Sequence, residues 1–200
     1  MSIDSLLPLT ILMLAMFWTP GPNNALLALS GLKHGFRRSI PHLLGVSIGF
    51  SGVLLLVAFG AGGVFRLYPG LAAILKWVGV ALLLWLAWKI GFGGSKAKSS
   101  ASSERPWTFL QATAFQTVNP KGWVICISVI SQFVTGAAPM REGATIFGVS
   151  VLTGTSSAIG WVAFGVMMQR WLDTPARLRM FNLAMAGLIV ASVGLLFLEG

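Results

Sequence analysis

A chain of 200 residues, 56% hydrophobic and only 10% charged, carries far less charge than the roughly 25% of a soluble domain, and its mean hydropathy is +0.82. That points to a bilayer protein, and the short loops leave room for one membrane domain over residues 1–200. The net charge of +9 would suit a nucleic-acid binder, but the cations gather in alternate loops, which makes them a topology signal and a lipid-headgroup contact, with no nucleic-acid partner expected.

Six apolar runs, 5–31, 40–63, 70–91, 108–135, 143–168 and 178–198, each reach the roughly 20 residues that cross ~30 Å of hydrocarbon. The expected fold is an all-α integral membrane protein of six transmembrane helices. The first run carries Asp4 and no Lys or Arg at its start, with no small-residue cleavage site, so it reads as a retained span rather than a signal peptide.

The middle of the first run is Thr19-Pro20-Gly21-Pro22-Asn23-Asn24. Each proline removes a backbone donor and clashes with the preceding turn, and water is scarce at that depth to satisfy the freed carbonyls. Asn23 is placed to cap the helix that resumes after the break. A helix start inside the bilayer presents unpaired N–H groups and a partial positive charge, which suit a carboxylate.

In the second run, His42 lies in the first turn. It reads as an interfacial polar residue or as a group that titrates near neutral pH and couples transport to protons. Gly45 and Gly49 form a G-x-x-x-G, and Ser150 and Gly154 repeat the small pattern in the fifth run. Such faces let helices pack closely and permit a homodimer. Trp88, Trp107, Trp171 and Tyr68 sit near span ends, as interfacial anchors do. After the third run, residues 92–106 are rich in Gly, Ser and Lys and read as a cytoplasmic linker.

The fourth run is interrupted at Thr117-Val118-Asn119-Pro120-Lys121. Asn before Pro is a favoured helix start. Lys121 lies about 14 residues from either end of this run, roughly 20 Å at 1.5 Å per residue, beyond the reach of snorkelling. A charge at that depth defaults to a functional reading: it holds a substrate carboxylate or titrates. The alternative is an interfacial segment over 107–121, which leaves a short span after it. Gln116 and Gln132 are each as suited to a neighbouring helix as to a ligand, and Asn182 reads as structural. Cys126, the single cysteine, supports no disulfide or metal site.

Ten of the 14 Lys and Arg fall between runs one and two, three and four, and five and six or at the adjoining run ends, where Lys89 and Arg179 stand. By the positive-inside rule those loops are cytoplasmic and both termini are outside. The linker divides the chain into repeat one (about 1–91) and repeat two (about 107–200). Three spans per half give two inverted three-helix repeats, with broken helices one and four in corresponding places, the pointer to a transporter binding site. Gly45-Val46-Ser47-Ile48 and Gly148-Val149-Ser150-Val151 add an internal match at an offset of 103 residues, near the 100 between Pro20 and Pro120. The breaks can also be packing kinks; the buried asparagines favour a site. The acids Asp4, Glu104, Glu142, Asp173 and Glu199 all fall at span ends or in loops. That argues against a divalent-cation carrier and a membrane hydrolase.

At these residues the chain resembles the LysE/RhtB family of amino-acid exporters. The pattern is Thr19 to Asn24, His34-Gly35-Phe36-Arg37, Gly45-Val46-Ser47-Ile48-Gly49-Phe50, Leu86-Ala87-Trp88-Lys89-Ile90 and Asn119-Pro120-Lys121, in order along essentially the whole chain. The resemblance implies six spans in the inner membrane and efflux of amino acids or their derivatives driven by the proton gradient. Residues 34–50 and 86–90 look most like the cysteine/O-acetylserine exporter branch. Many family members carry an acid where Phe50 stands and P-Q-F where Ser131-Gln132-Phe133 stands. Lacking that acid, the chain suits a neutral or zwitterionic substrate better than a dication such as lysine.

The expectation is a secondary, proton-coupled exporter of small neutral amino acids or derivatives, with no enzymatic activity and no cofactor. The candidate substrate site is Thr19, Pro20, Gly21, Pro22, Asn23, Asn24, Asn119, Pro120 and Lys121, with proton coupling at Lys121 or His42. A passive small-solute pore and a non-transporting membrane scaffold are the alternatives.

Overall fold

A computed structural model describes residues 5–61, 67–93 and 105–198. Among them are seven α-helices and no strand: α1 (Leu6–Trp18), α2 (Pro22–Leu56), α3 (Pro69–Phe92), α4 (Phe109–Val118), α5 (Pro120–Phe133), α6 (Pro139–Met168) and α7 (Pro175–Leu198). A π-helical turn, Val57–Ala61, continues α2. Five of the seven begin at a proline, whose missing N–H would be unpaired in a first turn anyway and whose fixed φ suits it. Four helical stretches are long and apolar enough to cross a membrane: Pro22–Gly60, Ala73–Phe92, Pro139–Met168 and Pro175–Leu195. With 13 residues, α1 is too short to cross alone.

The 35 residues of α2 are not one rod. Gly35 adopts φ 74° and ψ 175°, a left-handed backbone that glycine tolerates without steric cost. The helix folds back there, because the Ser30 hydroxyl donates to the Ser39 hydroxyl at 3.0 Å, whereas nine residues of straight helix span about 13.5 Å. The two arms, residues 22–34 and 36–56, pack side by side, and Leu27, Leu43 and Val46 share one apolar cluster with Ala158 and Val162. The gap expected between runs one and two, residues 32–39, is therefore helical on both sides of one glycine.

The first arm of α2 lies against α6 at backbone contact. A β-carbon on Gly165 would stand 1.9 Å from the Ala28 carbonyl oxygen, and one on Gly31 2.1 Å from that of Val162. The second arm packs on α4 through Gly45, against Phe109 and Ala112, and Gly49, against Thr113. The Ser51 hydroxyl donates to that of Ser150 on α6 at 2.8 Å. These small-residue faces are thus filled within the chain. They carry no argument for a homodimer.

Two larger apolar clusters flank the helix breaks. One joins the first arm of α2 with α3, α4 and α7, through Leu26, Leu83, Phe115 and Ile189. The other joins α1, the second arm, α5 and α6, through Leu9, Met13, Phe50, Val129 and Ile146. Outside them, Leu7, Ile74, Trp77, Leu152 and Phe197 are exposed. So much apolar surface is a liability in water and suits hydrocarbon. Of the expected anchors, Trp88, Trp171 and Tyr68 are exposed. Trp107 instead turns inward and stacks on His42, with ring centroids 5.2 Å apart. Most of the expected linker, and Arg66, Lys96, Lys98 and Glu104, lie outside the described residues.

Candidate functional site

The two breaks meet. Residues 19–21 separate α1 from α2, and Asn119 alone separates α4 from α5. A broken helix leaves carbonyls without their N–H partners four residues on, and away from water each must find another donor. The carbonyl of Phe17 accepts from the Asn24 side-chain amide at 2.9 Å and from the Ser157 hydroxyl at 2.8 Å. That of Thr19 accepts from Asn24 at 2.9 Å and from Lys121 Nζ at 2.8 Å. That of Pro20 accepts from Lys121 Nζ at 3.3 Å. On the other break, the Thr117 carbonyl accepts from the Trp123 indole at 2.9 Å.

Lys121 thus reaches across from α5 to the carbonyl end of α1. An ammonium is favoured there, because the free carbonyls carry the negative end of the helix dipole. Its chain lies along Gly21, where an added β-carbon would meet Nζ at 2.9 Å.

The cap of α2 corrects the sequence reading. Pro22 takes the first helical position, so the cap is Gly21, which has no side chain to offer, and Asn23 lies inside the first turn. Asn23 instead forms a reciprocal amide pair with Gln116. Its Nδ2 donates to Gln116 Oε1 at 2.8 Å, and Gln116 Nε2 donates back to Asn23 Oδ1 at 3.3 Å. Gln116 Nε2 also donates to the Ala112 carbonyl at 2.7 Å. Asn119 does stand at the cap of α5, with Pro120 next, but its side chain makes no capping bond. It is 3% exposed, and its Oδ1 has no hydrogen-bond donor.

Between the breaks lies a cavity of about 30 Å³ lined by Met16, Phe17, Gly21, Pro22, Asn23, Asn24, Phe50, Asn119, Lys121, Gly122 and Ile125. Six of the nine residues expected at the site line it: Gly21, Pro22, Asn23, Asn24, Asn119 and Lys121. Thr19 and Pro20 contribute their carbonyls to Lys121, and Pro120 is buried beside it. His42 is not part of it. Sequence reasoning missed the apolar side: Phe17 and Phe50 meet edge to face at 5.0 Å, and Phe50 also packs on Gly122. It left Gln116 undecided, although Gln116 stands one turn before Asn119 on the same helix. About 30 Å³ is enough room for a water molecule, and three asparagines and Lys121 stand among the apolar residues of its lining.

Residues 14–200 match the family described as LysE type translocator. The chain is similar to proteins named cysteine/O-acetylserine efflux protein. That of Salmonella choleraesuis (strain SC-B67) is 36% identical over 174 residues, covering 81% of this chain and 87% of the relative. That of Shigella flexneri serotype 5b (strain 8401) is 34% identical over 194 residues, covering 91% and 96%, as is that of Escherichia coli O9:H4 (strain HS). No solved structure matches.

Proposed function

The chain belongs to the family of LysE type translocators, and on that premise we propose that it exports small neutral amino acids or derivatives, cysteine and O-acetylserine among them, across the cytoplasmic membrane. The observation that carries the reading is the cavity where the two helix breaks meet, with Asn23, Asn24, Asn119 and Lys121 in its lining. The start of α2 presents backbone N–H groups there, and Lys121 adds a positive charge that can move from the Thr19 and Pro20 carbonyls to a substrate carboxylate. The lining contains no acid, which suits a zwitterion better than a dication.

In this reading α1 with the first arm of α2 makes one crossing, α4 with α5 another, and the second arm, α3, α6 and α7 make four more. Both termini are then outside, and the halves are inverted repeats. Contact register supports the repeat. Ser47 corresponds to Ser150 and Ser51 to Gly154 at the offset of 103. A β-carbon on Gly154 would meet the Ser47 hydroxyl at 3.4 Å, and the Ser51 hydroxyl bonds that of Ser150. Each contact is the other's counterpart under a two-fold exchange of halves. Alternating access follows from one half rocking against the other.

Helices broken in corresponding places of two halves favour a carrier over a passive pore. Proton coupling falls to Lys121 in preference to His42, since Lys121 is the titratable residue of the lining. The test is efflux from cells loaded with a panel of neutral amino acids, with and without an uncoupler. The expected outcome is saturable efflux of one class, lost with the uncoupler and with Asn23→Ala or Lys121→Ala. Normal efflux in both variants, at equal membrane levels of protein, would remove this site.

A further inference from the structure

The two helix starts that frame the cavity are not equivalent. The start of α2 offers donors: its cap, Gly21, has no side chain to occupy them, and the backbone N–H groups of Asn23 and Asn24 precede the first helical bond, Ala25 N–H to the Gly21 carbonyl at 2.9 Å. The backbone at the start of α5 offers fewer donors, Lys121 N–H among them. Pro120 has no N–H, and that of Gly122 already donates to the Asn119 carbonyl at 3.0 Å. What this side presents is an acceptor, the buried Asn119 Oδ1 that no donor reaches in a residue that lines the cavity. A buried oxygen with no donor is costly, and a cavity of about 30 Å³ has room for a water molecule to serve it.

From this polarity we infer that the site reads its substrate as a zwitterion in one orientation: the carboxylate on the start of α2 and on Lys121, and the α-ammonium on Asn119 Oδ1. The inference rests on the exporter reading and specifies the same site. When Lys121 turns to the carboxylate, the Thr19 and Pro20 carbonyls are freed and become further acceptors for the ammonium. The site therefore discriminates by the amine. A derivative modified on its side-chain oxygen keeps both charged groups and fits. One acylated on nitrogen loses the cation and gains bulk, and a 2-hydroxy acid keeps a neutral donor but no charge.

The test uses the full-length protein in liposomes, with O-acetyl-L-serine as the transported probe. Unlabelled O-acetyl-L-serine, N-acetyl-L-serine and the 2-hydroxy acid analogue of O-acetylserine serve as competitors. For the wild type the amino acid should compete about ten- to hundred-fold better than the other two, the worth of one charge-assisted hydrogen bond. Asn119→Leu should erase that gap, weakening competition by the amino acid far more than by the hydroxy acid. Asn119→Asp, which keeps the acceptor and decides the matter if the leucine variant does not fold, should preserve or widen the gap. A gap that survives Asn119→Leu overturns the ammonium assignment, as does an Asn119→Asp variant that loses it, while the exporter reading stands. A wild type that transports none of the amino acids overturns both.

Discussion

Gly21 caps α2, Lys121 stands two residues after the cap of α5, and the two are in contact: Lys121 Nζ lies 2.9 Å from where a β-carbon on Gly21 would stand. Only one member of the pair has room for a side chain. A lysine on one break fills the space that a glycine on the other leaves, so the charge at the meeting of the two breaks comes from one side only. Gly21→Ala should push Lys121 off the Thr19 and Pro20 carbonyls. Because small misplacements of a positioning group are expensive, efflux should fall about ten-fold or more with membrane levels of protein little changed. Time courses of export from loaded cells, normalised to protein by immunoblot, check this.

The Asn23–Gln116 pair is a tie between the breaks. Gln116→Ala leaves the half-buried Asn23 without its amide partner, and losing such a hydrogen bond costs about 0.5–1.5 kcal/mol. The detergent-solubilised variant should therefore melt below the wild type. Removing both side chains should cost less than the sum of the single changes, and a double-mutant cycle on melting temperatures measures the coupling. Strict additivity would mean that the pair contributes nothing as a pair.

Val118 loses its helical partner at the second break, and its carbonyl faces α3, where a β-carbon on Gly79 would stand 2.0 Å from the oxygen. Gly79→Ala must push α3 away from the break. Overpacking of this kind costs about 1–3 kcal/mol, and the expected result is a lower melting temperature together with reduced efflux. Gly52, which has open space around it, provides the control: Gly52→Ala should leave both unchanged.

Glu142 is 1% exposed and works locally. Its carboxylate accepts from the Thr135 hydroxyl at 2.5 Å, the Thr135 backbone N–H at 3.2 Å and the Gly136 backbone N–H at 3.0 Å, closing the turn between α5 and α6. Glu142→Ala strands two backbone donors. It should destabilise the protein by about 1–3 kcal/mol, while substrate competition in the remaining folded protein stays as in the wild type. Thermal melts and competition assays separate the two effects.

Proline made the breaks legible in the sequence, because a missing N–H in an apolar run has one physical consequence wherever it occurs. The rule that proline prefers the first helical position, applied at Asn119-Pro120, places the cap correctly. Applied equally at Pro22, it would have put the cap on Gly21 and released Asn23 for another role. What Asn23 does instead depends on Gln116, 93 residues away, and no local pattern encodes that distance. The single-residue turn at Gly35 was hidden for a different reason: one glycine within a basic stretch looks like part of a loop, and only the contact of Ser30 with Ser39 reveals that the helix resumes at once. Phe50 stands out in the sequence only as the position where many family members carry an acid, and its edge-to-face contact with Phe17 joins residues 33 positions apart, which no local pattern encodes.

That turn also decides where the molecule can bend. The arms of α2 are joined by one residue and pinned by a buried hydroxyl pair, and the first arm touches α6 backbone to backbone, so the hairpin has no slack to take up a swing. Freedom remains at residues 19–21 and at Asn119, where chain continuity is not backed by helical hydrogen bonds. Beyond those two joints hang α1 and α5, of 13 and 14 residues, which share the cluster around Leu9, Met13 and Val129. If one half rocks against the other, those two joints are where the chain can give, while the α2 hairpin moves as one piece.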